Sequence, residues 1–85
     1  MWSVTYTVDA IKALTSMDRT IAKRIRAKIL APAQDPRAPN NNVKKLKGSD
    51  DFRLRVGNWR AVYTVEDNRL VIIVVRVAPR GSSYD

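Results

Sequence analysis

A two-residue turn between alternating segments constrains the fold more than any other feature of the sequence. Apolar and polar residues alternate over residues 52–56 and again over residues 59–65, as they do in β-strands that have one buried face. Gly57 and Asn58, which separate the two segments, suit a two-residue hairpin loop. The sequence therefore predicts an antiparallel hairpin, and the length of its loop determines which residues oppose each other.

The predicted register divides the side chains of the hairpin between two faces. Opposed residues share a face, and so do alternate residues along one strand. Arg55 then lies opposite Arg60, and Arg53 lies on the same face. The opposite face, which we expect to pack against helices, carries Phe52, Leu54, Ala61 and Tyr63.

The two opposed arginines indicate a surface that binds anions. Like charges directly opposite each other on a sheet cost about 0.2–1 kcal/mol relative to neutral residues. Residues 53–60 contain no acidic side chain that would offset this repulsion. The arginine guanidinium also matches the geometry of phosphate. The alternative is an ordinary solvated sheet face, on which charges of both signs are expected.

The rest of the chain predicts two helices and two further strands. Residues 2–8 alternate like a half-buried strand, and Asp9 and Asp18 are the predicted N-caps of two helices. The second helix has isoleucines at intervals of four and is predicted to end near Pro32. Residues 70–77 are almost continuously apolar, which is typical of a central strand covered on both faces.

The order of elements, β-α-α-β-β-β, predicts an α+β fold. Short turns make the last three strands an antiparallel meander, with the helix hairpin packed on one face of the sheet. We expect the first strand to join the sheet beside the last strand. The predicted sheet is therefore four-stranded and mostly antiparallel, in a single domain over residues 1–85. Residues 43–51 are expected to be a basic segment that leads into the hairpin.

The amino-acid composition favours some classes of function and excludes others. The chain has 16 Lys and Arg against 8 Asp and Glu, a net charge of +8, which favours a nucleic acid or an acidic protein as partner. The absence of Cys and His excludes thiolate and imidazole catalysis and the common zinc sites, so we expect no cofactor and no metal. The N-terminus lacks the pattern of a signal peptide, and the longest apolar run is too short to span a bilayer. We expect a cytoplasmic protein without a membrane partner.

Several other residues are candidates for contacts with RNA. Lys44, Lys45 and Lys47 either follow a phosphate backbone or belong to a solvated loop. Trp59 either stacks on a base or contributes to the core of a small domain. Both alternatives stay open at the level of sequence.

The C-terminal tail supplies a second arginine-rich candidate. Arg80 and Tyr84 follow the predicted central strand, so the tail begins close to the ends of neighbouring strands. A phenol beside several arginines would have its pKa lowered, because the positive charges stabilise the phenolate. Tyr84 is therefore a candidate proton acceptor in a chain that has no histidine.

The pattern arginine-x-arginine-x-glycine-x-aromatic-arginine-x-x-tyrosine resembles the RelE/ParE toxin superfamily. The resemblance covers essentially the whole chain, and the RelE branch fits best. It rests on three segments: Leu46-Lys47-Gly48, Phe52 to Tyr63, and Val74 to Tyr84 with Arg76 and Arg80. This chain has Pro79 where many members of the superfamily have a histidine.

The resemblance implies a toxin of a type II toxin–antitoxin system. RelE-type toxins are endoribonucleases that cleave mRNA in the ribosomal A site without a metal, by attack of the ribose 2′-hydroxyl on the adjacent phosphate. Their products end in a 2′,3′-cyclic phosphate. The resemblance places the catalytic site at Arg53, Arg55, Arg60, Arg80 and Tyr84, and it implies a small acidic antitoxin as partner.

Two other functions remain compatible with the sequence. The ParE branch shares the fold but inhibits DNA gyrase, and it usually lacks the arginine and terminal tyrosine found here at Arg80 and Tyr84. A third possibility is a basic RNA-binding module without catalytic activity.

Overall fold

The order of secondary-structure elements agrees with the predicted one except for an additional strand. A computed structural model describes residues 2–79 of the chain. The two helices are α1 (Val8–Ser16) and α2 (Arg19–Gln34). The strands are β1 (Ser3–Tyr6), β2 (Val43–Lys45), β3 (Phe52–Val56), β4 (Trp59–Glu66) and β5 (Val71–Pro79).

The helices begin at residues whose side chains cap the first turn. The Thr7 side chain, and not that of the predicted Asp9, accepts a hydrogen bond from the backbone N–H of Ala10 at 3.2 Å, so α1 begins earlier than expected. Asp18 caps α2 as predicted: its Oδ1 accepts from the backbone N–H of Thr20 at 2.8 Å. α2 continues two residues past Pro32, so the predicted end of the helix was too early.

The sheet has five strands in the order β1-β5-β4-β3-β2. As predicted, β1 lies at the edge beside β5, in the only parallel pairing among the described strands, and the other pairings are antiparallel. The prediction of four strands was wrong. The three residues Val43–Lys45 pair with β3 and form the opposite edge. Two lysines in so short a strand leave no alternating pattern in the sequence, and the strand is held by backbone hydrogen bonds such as Arg55 N–H to the Asn42 carbonyl at 2.8 Å.

Both helices pack on one face of the sheet and form the core with it. Ile25 and Ile29 of α2 are fully buried, together with Leu54, Tyr63 and Ile72 of three strands. The register of the β3–β4 hairpin is the predicted one, with Val56 opposite Trp59 and Arg55 opposite Arg60. Gly57 has a φ of 59°, a conformation that side chains with a Cβ rarely adopt.

A β-bulge interrupts the pairing of β4 with β5. Val62 pairs with Arg76, but the next residue of β4, Tyr63, pairs with Val74, so Val75 has no partner in the ladder. If the register continued without the bulge from Tyr63, Arg76 would oppose Ala61 and point into the core. The bulge therefore moves Arg76 to the face that the helices do not cover.

Candidate functional site

The sheet face opposite the helices carries five basic residues on neighbouring strands, and we call this surface the arginine face. Cross-strand pairing aligns its residues in two adjacent rows. One row consists of Lys44, Arg53, Val62 and Arg76, and the other consists of Arg55, Arg60 and Ala78. The predicted placement of Arg53, Arg55 and Arg60 on one face is confirmed by the observed register.

Arg55 and Arg60 form the closest like-charged pair of the hairpin. The N–H of Arg55 is directed away from β4, since it donates to the carbonyl of Asn42, the residue that precedes β2. Arg55 and Arg60 are therefore a non-hydrogen-bonded pair, in which Cα atoms approach to about 4.5 Å and side chains are closest. Arg55 is exposed and Arg60 is half-buried. The two side chains thus leave the sheet from adjacent positions on the same face.

Two apolar residues on the arginine face are buried although no helix covers them. Val62 is 2% exposed and Ala78 is 7% exposed. The neighbouring side chains on this face include those of Arg60 and Arg76, and the Nε atoms of both arginines are also shielded from solvent. We infer that the aliphatic stems of these arginines cover Val62 and Ala78 while the terminal nitrogens face outwards. The packing of the stems restricts where the charged groups can lie.

A groove of about 260 Å³ runs along the β2 side of the arginine face. Its lining contains four cationic side chains and no acidic one: Asn41, Asn42, Val43, Lys44, Arg53, Arg55 and Arg60. Lys44, Arg53 and Arg55 form no ion pair with any residue between 2 and 79. Their charges are therefore not neutralised by the described part of the protein, and an anion in the groove would interact with all of them.

The structure does not bring all the predicted contact residues together. Lys45 pairs with Phe52, on the side of the sheet that faces the helices, and Lys47 lies beyond the end of β2. Trp59 packs against the core and not on the arginine face. The predicted site residues Arg80 and Tyr84 lie outside the described residues. Of the three lysines, only Lys44 joins the arginines.

The two tyrosines of the described region are unsuited to the role of proton acceptor. Burial raises the pKa of Tyr63 to about 12, and Tyr63 points into the core beneath β4. Burial also raises the pKa of Tyr6, although the nearby Arg26 guanidinium, 5.2 Å from the ring centre, lowers it in part. Neither phenol lies on the arginine face. A tyrosine base would have to come from outside residues 2–79.

Two further features of the described residues bear on the class of protein. No group of three or more Asp, Glu, His or Cys side chains in this part of the chain is placed to hold a metal ion. Neither of its two α-helices is long and apolar enough to cross a membrane. The fold and the site together define a small basic α+β protein that carries a cluster of cationic side chains on one face of its sheet.

Comparison with known proteins identifies the family. Residues 4–84 match the family described as the ParE toxin of the type II toxin–antitoxin system parDE, and the chain belongs to this family. A similar protein is the mRNA interferase toxin RelE of Escherichia coli K12. It is 26% identical over 74 residues, which are 87% of this chain and 78% of that protein. The chain is thus a RelE-like toxin of the RelE/ParE superfamily.

Solved structures of RelE proteins share the fold. The E. coli RelBE toxin–antitoxin complex contains a chain that superposes with a TM-score of 0.81 at 22% identity, covering 96% of this chain and all (100%) of that one. At that identity the likeness shows the fold alone. The RelB–RelE antitoxin–toxin complex of Methanococcus jannaschii contains a chain with a TM-score of 0.72 at 30% identity, covering 95% of both chains.

Proposed function

We propose that this toxin is an endoribonuclease that cleaves mRNA on the arginine face. The observation that carries the proposal is the groove lined by four cationic side chains, those of Lys44, Arg53, Arg55 and Arg60. A repulsive arrangement of this kind is stabilised when a polyanion occupies it, and the guanidinium fork suits phosphate. The similarity to a protein named mRNA interferase supports mRNA as the polyanion.

The proposed reaction is an attack of the ribose 2′-hydroxyl on the adjacent phosphate. The bond between the 2′-oxygen and phosphorus forms, and the bond to the 5′-oxygen of the next nucleotide breaks. This leaves a 2′,3′-cyclic phosphate and a 5′-oxyanion, which takes a proton from water to become a 5′-hydroxyl. Arg60 and Arg80 would stabilise the charge that develops on the pentavalent phosphate. Arg53 and Arg55 would bind the flanking phosphates.

A separate group has to accept the proton of the 2′-hydroxyl. Arginine stays protonated in proteins and is a poor base. Tyr84 is the proposed acceptor, since neither Tyr6 nor Tyr63 lies on the arginine face. The chain has no histidine and no cysteine, and the proposed reaction uses no metal.

The proposed setting is the A site of a translating ribosome, and the proposed inhibitor is an acidic antitoxin. The solved relatives in complex with RelB support an antitoxin as partner. A net charge of +8 complements an acidic protein. An antitoxin that covers the arginine face would compete with RNA for the same charges.

Cleavage of an mRNA by the purified protein, with and without translating ribosomes, tests the proposal. We expect cuts within translated regions, products that end in cyclic phosphates, and no loss of chemistry on addition of EDTA beyond its effect on the ribosome. Arg60→Gln should lose activity. Arg69→Gln removes the same charge from an arginine that pairs with Glu66 at 2.9 Å, and it should retain activity. Equal activity of the two variants would contradict the assignment of the site.

The salt dependence of RNA binding tests the phosphate contacts independently of catalysis. Each phosphate neutralised on a single strand contributes about −0.7 to the slope of log affinity against log salt, so three to four arginines predict a slope of roughly −2 to −3. A binding constant that does not change with salt would exclude a phosphate-binding face.

Inhibition of DNA gyrase, the activity that the resemblance to the ParE branch implies, is the second candidate function, and the match to a family described as the ParE toxin is the observation that favours it. Expression without an antitoxin would then arrest growth with gyrase-linked DNA breaks and intact mRNA. Cleaved mRNA with intact DNA supports the ribonuclease instead. RNA binding without either product would identify a non-catalytic RNA-binding module.

A further inference from the structure

We propose that Arg76 binds a phosphate of the RNA strand, and that the strand crosses the sheet from β2 towards β5. This inference rests on the function proposed above and adds a residue and a direction to it. In the sequence, Arg76 interrupts the apolar segment 70–77 and belongs to a segment that carries the family resemblance, but neither fact gives it a role. The structure gives it a position among the other basic residues.

Arg76 completes a row of residues that runs across four strands. Lys44 pairs with Arg53, Arg53 with Val62, and Val62 with Arg76. Neighbouring strands lie about 4.8 Å apart, so the row from Lys44 to Arg76 spans roughly 14 Å. The second row places Arg55 and Arg60 beside it. The cationic band is therefore wider across the strands than along them.

The residues that follow along the strands on this face are not cationic, and Glu66, at the end of β4, is acidic. Beyond Val62 the next outward residue of β4 is Thr64, which pairs with Ile73 of β5. Thr5 of β1 is the parallel partner of Ile73 on the same face. An RNA strand that ran parallel to β4 would leave the cationic band after two residues, whereas an RNA strand that crosses the β-strands stays on it.

The β-bulge places Arg76 on this surface. Val75 is left out of the ladder, and its carbonyl accepts a hydrogen bond from the Thr7 hydroxyl at 2.9 Å. Bulges occur preferentially beside functional sites, where they change the direction of a side chain. The extra residue in an otherwise regular apolar strand therefore has a functional explanation in the placement of Arg76.

Arg76 is also held in a defined position. Its side chain is half-buried, with Nε shielded from solvent, and it lies next to the buried Val62. A guanidinium fixed by packing loses less conformational freedom on binding than one at the end of an exposed side chain. The position of Arg76 suits a guanidinium that binds one phosphate at the β5 end of the RNA strand.

Binding of a short single-stranded RNA tests the contact. The probe is a hexamer with 2′-O-methyl groups on every sugar, which prevents cleavage. Arg76→Gln should weaken binding about tenfold, as expected for the loss of a charged hydrogen-bonded contact, and should reduce the salt slope by about 0.7. Arg69→Gln is the control of equal charge and should leave the slope unchanged. Equal effects of the two variants would overturn the proposal.

The direction of the strand is tested with neutral methylphosphonates placed at one phosphate of the hexamer at a time. The affinity of the wild-type protein for the hexamer should fall when the methylphosphonate stands at any of several positions. The affinity of Lys44→Gln should be unaffected by the methylphosphonate at one position, and that of Arg76→Gln at another. These two positions should lie on opposite sides of the position at which the affinity of Arg60→Gln is unaffected. Insensitivity of Lys44→Gln and Arg76→Gln at one shared position would exclude a strand that crosses the sheet.

Two further variants separate the possible failures. Arg76→Lys keeps the charge, so it should retain the salt slope and lose part of the affinity even if Arg76→Gln folds poorly. If Arg60→Gln weakens binding and neither Arg76 variant does, only this inference is wrong. If none of these variants changes binding of RNA, the arginine face is not the RNA-binding surface, and the site assigned to the ribonuclease is wrong as well.

Discussion

Replacing Arg55 by glutamine should stabilise the free protein and impair its function. Arg55 and Arg60 are directly opposed on the arginine face, and Arg55 forms no ion pair with any residue between 2 and 79. Glutamine keeps much of the length and polarity of the side chain but removes one of the two charges. The repulsion disappears, and with it a contact to phosphate. Stability and activity should therefore change in opposite directions.

The structure sets the size of the expected gain in stability. Like charges directly opposite on a sheet cost about 0.2–1 kcal/mol, and the non-hydrogen-bonded geometry brings these two side chains closest. Arg55 is exposed, so solvent screens the pair and keeps the effect away from the upper limit. We expect a gain of about 0.5 kcal/mol. For a domain of this size that corresponds to a rise of roughly 2–4 °C in the melting temperature.

Thermal melts at low salt and in 1 M NaCl, beside a toxicity assay, measure both effects. The gain should disappear at 1 M, where the Debye length is about 3 Å. Lys12→Gln is the matched control, because Lys12 is an exposed residue of α1 and its replacement lowers the net charge by the same amount. It should raise the melting temperature less than Arg55→Gln does and leave toxicity intact.

Marked destabilisation by Arg55→Gln would refute the reasoning, since Arg55 would then have a structural partner. A gain that persists in 1 M NaCl would also refute it, because electrostatic repulsion could not be the cause. A gain matched by Lys12→Gln would assign the effect to net charge and not to the opposed pair.

Three further predictions concern stability. Because burial raises the pKa of Tyr63 to about 12 while an unfolded tyrosine titrates near 10, the free energy of unfolding should fall between pH 10 and 12. In urea titrations at pH 8 and pH 11, Tyr63→Phe should make that fall smaller, and the part that remains includes the contribution of Tyr6, whose pKa burial also raises. Leu70 is 58% exposed and has a φ of 52°, so Leu70→Asn should raise stability by up to about 1 kcal/mol in the same assay, and a loss would mean that its side chain is held by packing. Asp18→Ala removes the cap of α2 and should cost about 1 kcal/mol, whereas Asp18→Asn should cost much less.

Local patterns in the sequence were enough to predict the hairpin and the face that carries its arginines. Gly57 and Asn58 allow only a two-residue loop, and a two-residue loop leaves one register for the strands on either side. The apolar segment at 70–77 likewise predicted a central strand, which is the position of β5 between β1 and β4, but the expected cover on both faces was wrong, because both helices lie on one face of the sheet. Each of these inferences depends on interactions between residues that are close in the chain.

The remaining features depend on contacts between distant parts of the chain. Val43–Lys45 forms a strand because β3 supplies hydrogen-bond partners, not because of its own residues. Alternation alone does not tell which face Arg76 occupies, because the bulge at Val75 reverses the parity of β5 and is visible only once β4 is paired with it. Trp59 could not be assigned to the core or to RNA until the helices were placed on its side of the sheet. The sequence by itself thus determined the hairpin and its charged face, since short loops allow few geometries. The edge strand, the orientation of Arg76 and the location of Trp59 were decided by tertiary pairing, since one extra residue in a strand exchanges its two faces.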